Sequence, residues 1–173
     1  MPNRNLELKA RCPDLARAAD AARSIGATRD GVLEQLDTYF HFPHGRLKLR
    51  ETAGRGAELI AYERANDPAV RGSDYYVIPI ADAAAAAAMK AALAKRLAVR
   101  GTVSKRRELF LWHNVRIHLD DVAGLGTFLE FEAVISPADD EAVSRERLAR
   151  LGEALGVRDE DRIAVSYADL AGL

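Results

Sequence analysis

Alternating apolar and polar positions dominate the chain, and a period of two is typical of β-strands with one buried face. In the first such segment Leu6 and Leu8 share one face, while Glu7 and Lys9 share the other. Glycine, proline and aspartate cluster between the segments, where turns are expected. The pattern predicts eight strands, at residues 3–11, 32–42, 45–52, 58–65, 73–80, 102–111, 114–121 and 127–135.

Helical patterns interrupt the strands at three places, and a fourth short one follows near the end of the sequence. Pro13 suits the opening turn of the first helix, Asp82 is a good cap for the second, and Ser136 with Pro137 opens the third. The predicted helices span about residues 13–25, 82–99, 136–155 and 163–170. Short links between strands and segregated helices predict an antiparallel α+β fold rather than βαβ units. A single domain over residues 1–173 is expected.

The amino-acid composition limits the classes of protein to which the chain can belong. The 173 residues are 29% charged and 49% hydrophobic, which is typical of a globular chain. The 25 basic and 26 acidic residues give a formal charge of −1, which argues against a nucleic-acid partner. Cys12 is the single cysteine, so no disulfide can form within the chain. No apolar run is long enough for a signal or a span, so we expect a cytoplasmic protein without a membrane partner.

The polar faces of the predicted strands carry an unusual charge pattern. Arg46, Lys48 and Arg50 share one face of their strand, and Glu130 shares a face with Glu132. An antiparallel sheet that exposes its polar face to water would account for the alternation alone. Like charges this close repel each other, however, unless counter-charges lie between them. The alternative is a closed eight-stranded barrel whose polar faces surround a wet cavity or a charged ligand.

A charged interior of this kind would suit one class of ligand. Guanidinium groups bind phosphoryl oxygens bidentately, and lysine adds compact positive charge. Carboxylates bind Mg²⁺ or Mn²⁺, which in turn bridge to the phosphates of a substrate. Gly124-Leu125-Gly126 lacks the strand-to-helix context of a dinucleotide fingerprint, so a nucleotide-binding α/β fold is not expected. A polyphosphate with a divalent metal matches both sets of charges.

The order of several motifs resembles the CYTH domain family, which unites class IV adenylate cyclases with thiamine-triphosphatase-like and inorganic triphosphatases. The similar segments cover most of the chain, and residues 37–51 are closest to the class IV cyclase-like branch. They are Asn5-Leu6-Glu7-Leu8-Lys9, then residues 37–40, 45–51, 59–64 and 103–107, and finally 118–120 leading to 125–132. The resemblance implies an eight-stranded antiparallel barrel flanked by helices, a triphosphate tunnel whose inner charged residues hold a triphosphate and a divalent metal.

The resemblance also assigns roles to the charged residues. Those expected to hold the triphosphate are Lys9, Arg46, Lys48, Arg50, Arg64, Lys105, Arg107 and Arg116. Those expected to hold Mg²⁺ or Mn²⁺ are Glu7, Asp120, Glu130 and Glu132. Lys9 is in addition the candidate catalytic residue, since a lysine among other cations has a lowered pKa. Asn5 stands where the family has an acidic residue, which keeps a carbonyl oxygen but removes one negative charge.

Two reactions fit such a cradle. A ribose hydroxyl could attack the α-phosphorus of ATP, giving cyclic AMP and pyrophosphate, or water could attack the terminal phosphorus of ATP, thiamine triphosphate or tripolyphosphate. A non-catalytic polyphosphate-binding or nucleotide-binding module is the alternative. Asp37, Tyr39 and His118 lie on or near the same inner faces without an assigned role. The sequence leaves the oligomeric state open, with a homodimer as one option.

Overall fold

The computed structural model describes residues 3–173, which form eight strands and four α-helices in the predicted order. The strands are β1 (Asn3–Arg11), β2 (Thr28–Phe40), β3 (Arg46–Thr52), β4 (Gly56–Arg64), β5 (Arg71–Ile80), β6 (Val99–Trp112), β7 (Val115–Val122) and β8 (Gly126–Val134). The helices are α1 (Leu15–Ser24), α2 (Ala83–Leu97), α3 (Glu141–Ala154) and α4 (Tyr167–Leu170), with a 3-10 turn at Asp159–Asp161. Within these residues, no helix is both long and apolar enough to cross a lipid bilayer.

The boundary between α2 and β6 differs from the prediction. Ala98 follows the helix with a φ of 58°, a left-handed conformation that stops the helical hydrogen bonding. Val99, predicted as the end of the helix, is instead the first residue of β6 and pairs with Phe40 of β2. The partner strand β2 is longer than predicted and begins at Thr28, opposite Leu111. The two longest strands therefore pair with each other.

Two helix starts also differ from the prediction. Ser136 forms a turn with Asp139, so α3 begins later, after Asp140, whose carboxylate accepts the backbone N–H of the third helical residue. In the same way Asp14 caps α1, and Pro13 precedes the helix rather than lying in its first turn. In both cases an aspartate that satisfies a free N–H group of the first turn outweighs the preference of proline for that turn.

All eight strands close into one antiparallel barrel. The order around it is β1-β5-β4-β3-β2-β6-β7-β8, and β8 pairs back to β1. The register of that closing pair places Lys9 opposite Glu130 and Glu7 opposite Glu132. The predicted barrel is confirmed, and the alternative of an open sheet with its polar face in water is wrong.

Apolar side chains on the outer faces of the strands pack under the helices. Helices α1 and α3 cover β1, β7 and β8, where Leu6, Ile117 and Phe131 are fully buried. Helix α2 packs against β2, β4 and β5, and Leu49 of β3 is fully buried in the same apolar cluster. Since neighbouring side chains of a strand point to opposite faces, this packing turns the charged residues into the barrel.

The C-terminal segment closes one end of the barrel. The backbone N–H of Ile163 donates to the carbonyl of Lys9 at 2.9 Å, which ties this segment to β1. Tyr167 of α4 packs against Phe128 with 5.0 Å between the ring centroids, in a cluster that also includes Tyr39 and Val103. The ring of Tyr167 therefore forms an aromatic floor beneath Lys9 at this end of the barrel.

Candidate functional site

The inner faces of the strands surround a cavity of about 400 Å³, which we name the tunnel cavity. This volume falls within the usual range of small-molecule sites, about 300–1,000 Å³. Ten of the twelve predicted site residues line it, namely Glu7, Lys9, Lys48, Arg50, Arg64, Lys105, Arg107, Arg116, Glu130 and Glu132. The other two, Arg46 and Asp120, lie outside its walls.

Asp37 is the centre of one ionic cluster on the tunnel wall. Its carboxylate is fully buried and accepts two hydrogen bonds from Arg50 at 2.7 and 2.8 Å, one from Lys48 at 3.0 Å and one from Lys105 at 2.8 Å. Burial alone would raise the pKa of Asp37, but the ion pairs with Arg50, Lys105 and Lys48 outweigh it and hold that pKa well below its usual range. Three cations thus share one carboxylate, which leaves an excess of positive charge.

This environment lowers the pKa values of the two lysines of the cluster. Burial, together with repulsion from Arg50, lowers the pKa of Lys105 to about 7. The same two causes lower the pKa of Lys48 to about 8. Both amines therefore titrate near neutral pH, and an anion placed beside them would favour their charged forms.

A second ionic cluster surrounds Glu130. The Nζ atom of Lys9 lies 3.1 Å from one of its carboxylate oxygens, and Arg107 donates to the other at 2.9 Å. Lys9 also sits over the ring of Tyr167, 3.9 Å from the centroid. Burial lowers the pKa of Lys9, and the attraction of Glu130 offsets only part of this shift. Lys9 is thus a cation held between a carboxylate and an aromatic floor.

Asp120 lies behind this cluster rather than on the tunnel wall. It is fully buried, and Arg107 donates to its two oxygens at 2.7 and 2.6 Å. The hydroxyl of Tyr167 donates to the same carboxylate at 2.8 Å. Asp120 is not part of the group of potential ligand atoms around Glu130 and Glu132, so its predicted role as a metal ligand stays a prediction. Alternation along β7 identified the inner face for Asp120 correctly. It could not predict how far along the barrel Asp120 lies from the tunnel cavity, because that depends on the position of α4.

Arg46 lies at the closed end of the barrel, outside the tunnel cavity. It donates to the carbonyl of Arg64 at 3.2 Å and to Asn66 at 2.6 Å, and it approaches Asp169 of α4 at 3.4 Å. These contacts tie β3 to the C-terminal segment. The structure therefore separates Arg46 from Lys48 and Arg50, although all three share one face of β3.

Carboxylates and an imidazole meet on the β1, β7 and β8 side of the tunnel cavity. Glu7 pairs with Arg64 at 2.9 Å, and Glu132 approaches Arg116 at 3.0 Å. Burial raises the pKa of Glu7, and the pair with Arg64 offsets only part of this shift. His118, on β7, lies beside Glu132, and burial lowers its pKa. This is the acidic side of an otherwise cationic cavity.

Several buried polar atoms near the tunnel cavity have no hydrogen-bond partner among residues 3–173. They are Nε and Nη2 of Arg64, Nε and Nη2 of Arg71, Nε of Arg116 and Oδ1 of Asn5. The side chain of Arg64 is only 3% exposed. Leaving a buried charged donor unpaired costs about 1–3 kcal/mol or more, and folded proteins pair the great majority of such groups. Unpaired guanidinium donors on a cavity wall are the chemistry of an anion site.

Sequence reasoning missed some residues of this region. Arg71 is buried on the same face of β5 as Ser73 and Tyr75, but the predicted strand began two residues too late to include it. Tyr62 lines the tunnel cavity from β4, two positions before Arg64. The alternation of β4 includes Tyr62 on the same face as Arg64. Extending the alternation of β5 by two residues toward the N terminus would have included Arg71.

The donor set on the acidic side fits a divalent cation. His118, Glu130 and Glu132 each offer a ligand atom, and these atoms lie within 4.8 Å of one another. The carbonyl oxygen of Asn5, which has no partner in the described chain, also faces the cavity. Carboxylate and amide oxygens are typical ligands of Mg²⁺ and Mn²⁺.

Comparisons with known proteins agree with this geometry. A family model described as the CYTH domain matches residues 3–167. A Methanocaldococcus jannaschii protein, named provisionally as an adenylate cyclase, is 34% identical over 71 residues, which is 41% of this chain and 41% of that protein. A solved Pyrococcus horikoshii structure has 24% identity and a TM-score of 0.82, and covers 96% of this chain and 98% of its own. A Vibrio parahaemolyticus structure, provisionally named an adenylate cyclase, has 22% identity and a TM-score of 0.77 over 100% of both chains.

Proposed function

The chain belongs to the CYTH domain family, and from this premise we propose that it binds a triphosphate compound in the tunnel cavity and acts on it with the help of a divalent metal ion. The partner is a small molecule, with ATP, thiamine triphosphate and tripolyphosphate as the candidates. In this proposal residues 1–173 form one domain. The protein acts in the cytoplasm and has no nucleic-acid or membrane partner.

One observation carries this proposal: the unpaired guanidinium donors of Arg64 and Arg116 on the wall of a closed-ended cavity. A phosphate oxygen accepts such donors in short, charge-assisted hydrogen bonds. Asn3 and Val77 line the cavity and are solvent-exposed, which marks the open end. A linear triphosphate would therefore enter past these two residues and extend toward the floor formed by Tyr167.

The cations have distinct roles in this proposal. Lys48, Arg50 and Lys105 form a triad that Asp37 holds in place, and phosphate oxygens would neutralise its excess positive charge. Lys9 is the candidate catalytic cation, because it can hold a phosphoryl oxygen beside Glu130 while charge develops there. Asp120 is a positioning residue, since it orients Arg107 from behind the wall.

The metal would be held on the acidic side, by Glu7, Glu130 and Glu132. A bound Mg²⁺ or Mn²⁺ would supply neutralisation of phosphate charge and polarisation of the reacting phosphoryl group. Arg64 and Arg116, which pair with Glu7 and Glu132, would turn toward the substrate as the carboxylates engage the ion. This exchange of partners would couple the two binding events.

A product assay separates the candidate reactions. The protein is incubated with ATP, thiamine triphosphate or tripolyphosphate in Mg²⁺ or Mn²⁺, and the products are separated by chromatography. Cyclic AMP with pyrophosphate identifies a cyclase, and orthophosphate identifies a triphosphatase. Binding without turnover of any of the three would favour the non-catalytic module, for which Asn5 in place of an acidic residue is the specific observation. Neither binding nor turnover would contradict the proposal.

Triphosphate binding is expected to take up protons at pH 8. In the free protein Lys105, with a pKa of about 7, is mostly neutral at that pH, and Lys48, with a pKa of about 8, is half charged. A bound polyanion raises both pKa values, so each neutral amine gains a proton and affinity falls as the pH rises from 7 to 9. Calorimetry in two buffers with different ionisation enthalpies measures this uptake.

Lys105→Met is the control for the proton count. The ligand itself titrates to the same extent with both proteins, so the difference in uptake between wild type and Lys105→Met reports the proton of Lys105 and its effect on the neighbouring Lys48. Equal uptake by the two proteins at pH 8 would show that Lys105 is not protonated by the bound ligand.

A further inference from the structure

We infer that His118, Glu130 and Glu132, which we name the His118 cluster, form a mixed nitrogen and oxygen site that binds a first-row transition cation such as Mn²⁺ in preference to Mg²⁺. The inference deepens the proposed function, on which it rests for the presence of a metal, and concerns which ion the protein selects. It can be tested without a substrate.

The register of two neighbouring strands builds the His118 cluster. His118 of β7 lies directly opposite Glu130 of β8, and Glu132 is two residues further along the same face. Directly opposite residues bring their side chains close together, and residues two apart on a strand share a face. Since β7 and β8 are paired along their whole length, the three side chains start from a rigid backbone.

The two imidazole nitrogens each face a carboxylate beyond normal hydrogen-bond range. Nδ1 of His118 lies 3.5 Å from Glu130 Oε2, and Nε2 lies 3.9 Å from Glu132 Oε2. The side chain is 4% exposed, and Nδ1 has no hydrogen-bond partner in the described part of the chain. An imidazole buried between two anions with no short hydrogen bond to either is an unusual arrangement.

A cation bound by Nδ1 of His118 and by Glu130 would explain the first of these separations. Only one nitrogen of a neutral imidazole carries a proton, so the other presents its lone pair toward a carboxylate oxygen. Two ligand atoms that share one metal ion, each at about 2.0–2.2 Å from it, lie farther apart than two hydrogen-bonded atoms. The 3.5 Å separation between Nδ1 of His118 and Glu130 therefore suits an ion shared by the two, with Glu132 as a third ligand.

The nitrogen donor decides which ion is favoured. Mg²⁺ and Ca²⁺ bind almost wholly through oxygen, whereas imidazole suits first-row transition ions, whose affinities for such sites rise along the series from Mn²⁺. A site of two carboxylates without the imidazole would have a weaker preference for transition ions over Mg²⁺. His118 thus gives the acidic side of the tunnel cavity a preference that the glutamates alone would not provide.

The test uses Mn²⁺ alone as the probe, with full-length protein that has been treated with a chelator. Calorimetry and the loss of the free Mn²⁺ EPR signal measure affinity, and electron spin-echo modulation detects a directly bound ¹⁴N nucleus. We expect wild type to bind Mn²⁺ roughly tenfold or more tightly than Mg²⁺ and to show ¹⁴N coupling. His118→Gln should lose most of the Mn²⁺ affinity and the coupling, while its weak Mg²⁺ affinity changes little.

His41→Gln is the matched control, because His41 is exposed just after β2 and should bind Mn²⁺ like wild type. Bound Mn²⁺ without ¹⁴N coupling in wild type would overturn the inference even if His118→Gln failed to fold, and so would equal affinities for Mn²⁺ and Mg²⁺. Tripolyphosphate binding in chelator is measured separately. Its absence would contradict the proposed function while leaving a nitrogen-coupled Mn²⁺ site in place.

Discussion

Replacing Asp37 by asparagine is expected to lower the free energy of unfolding of the ligand-free protein by about 3–5 kcal/mol, as is usual when one partner of a buried ion pair is removed. The carboxylate is fully buried and is the shared acceptor of Lys48, Arg50 and Lys105. Without it, the Arg50 guanidinium keeps a buried charge with no counter-charge, and both lysines lose the carboxylate that favours their charged forms. For a chain of this length, each kcal/mol corresponds to about 2–4 °C in the melting temperature.

Tripolyphosphate should restore part of the stability that Asp37→Asn loses. Its oxygens would replace the missing carboxylate, so the rise in melting temperature on adding tripolyphosphate, in chelator, should be larger for the variant than for wild type. Asp20→Asn is the control, since the Asp20 side chain is 78% exposed and pairs with Arg23 at the surface. A loss below about 1 kcal/mol, the range of surface pairs, would show that the triad does not depend on this carboxylate.

The second large effect is expected for Arg64→Lys, which should weaken tripolyphosphate binding about 10- to 100-fold. Lysine keeps the positive charge and can still pair with Glu7, but it lacks the planar set of donors. The unpaired Nε and Nη2 atoms of Arg64 are the donors that a phosphate would accept. A hydrogen bond to a charged group contributes about 1.5–3 kcal/mol, which gives the expected range.

Arg106→Lys provides the matched control for Arg64→Lys. The same arginine-to-lysine change is made here on the outer face of β6, where the Arg106 side chain is 54% exposed and pairs with Glu34. Its affinity for tripolyphosphate, measured by calorimetry at fixed salt, should equal that of wild type. If Arg64→Lys also binds like wild type, the donors of Arg64 do not contact the ligand.

Much of the fold could be predicted because most strands have one apolar and one polar or charged face. A period of two is a local property, so it identifies faces without knowledge of the partner strands. The ends of elements were less predictable, since Asp14 and Asp140 compete with nearby prolines for the helix starts. The late start predicted for β5 left out Arg71, which is buried next to the candidate site with two unpaired nitrogens.

The depth of a residue within the barrel could not be predicted from its face. Arg46 and Asp120 were assigned to the correct faces, but both lie toward the closed end, where residues near the C terminus contact them. The role of Asp37 was hidden for a similar reason. In the strand register Asp37 lies opposite Arg50 of β3 and opposite Val103 of β6, two residues from Lys105 on the same face. This meeting of three strands follows only from the order of strands in the closed barrel.

Titration of inorganic tripolyphosphate into the wild-type protein, by calorimetry in the presence of a chelator, tests the central claim most directly. The chelator prevents metal-dependent turnover and leaves the cations of the tunnel cavity as the binding groups. We predict saturable binding of one tripolyphosphate per chain, weakened by added salt and by Arg64→Lys but not by Arg106→Lys. No saturable binding and no rise in melting temperature would contradict the account, because the charged interior would then not be an anion site.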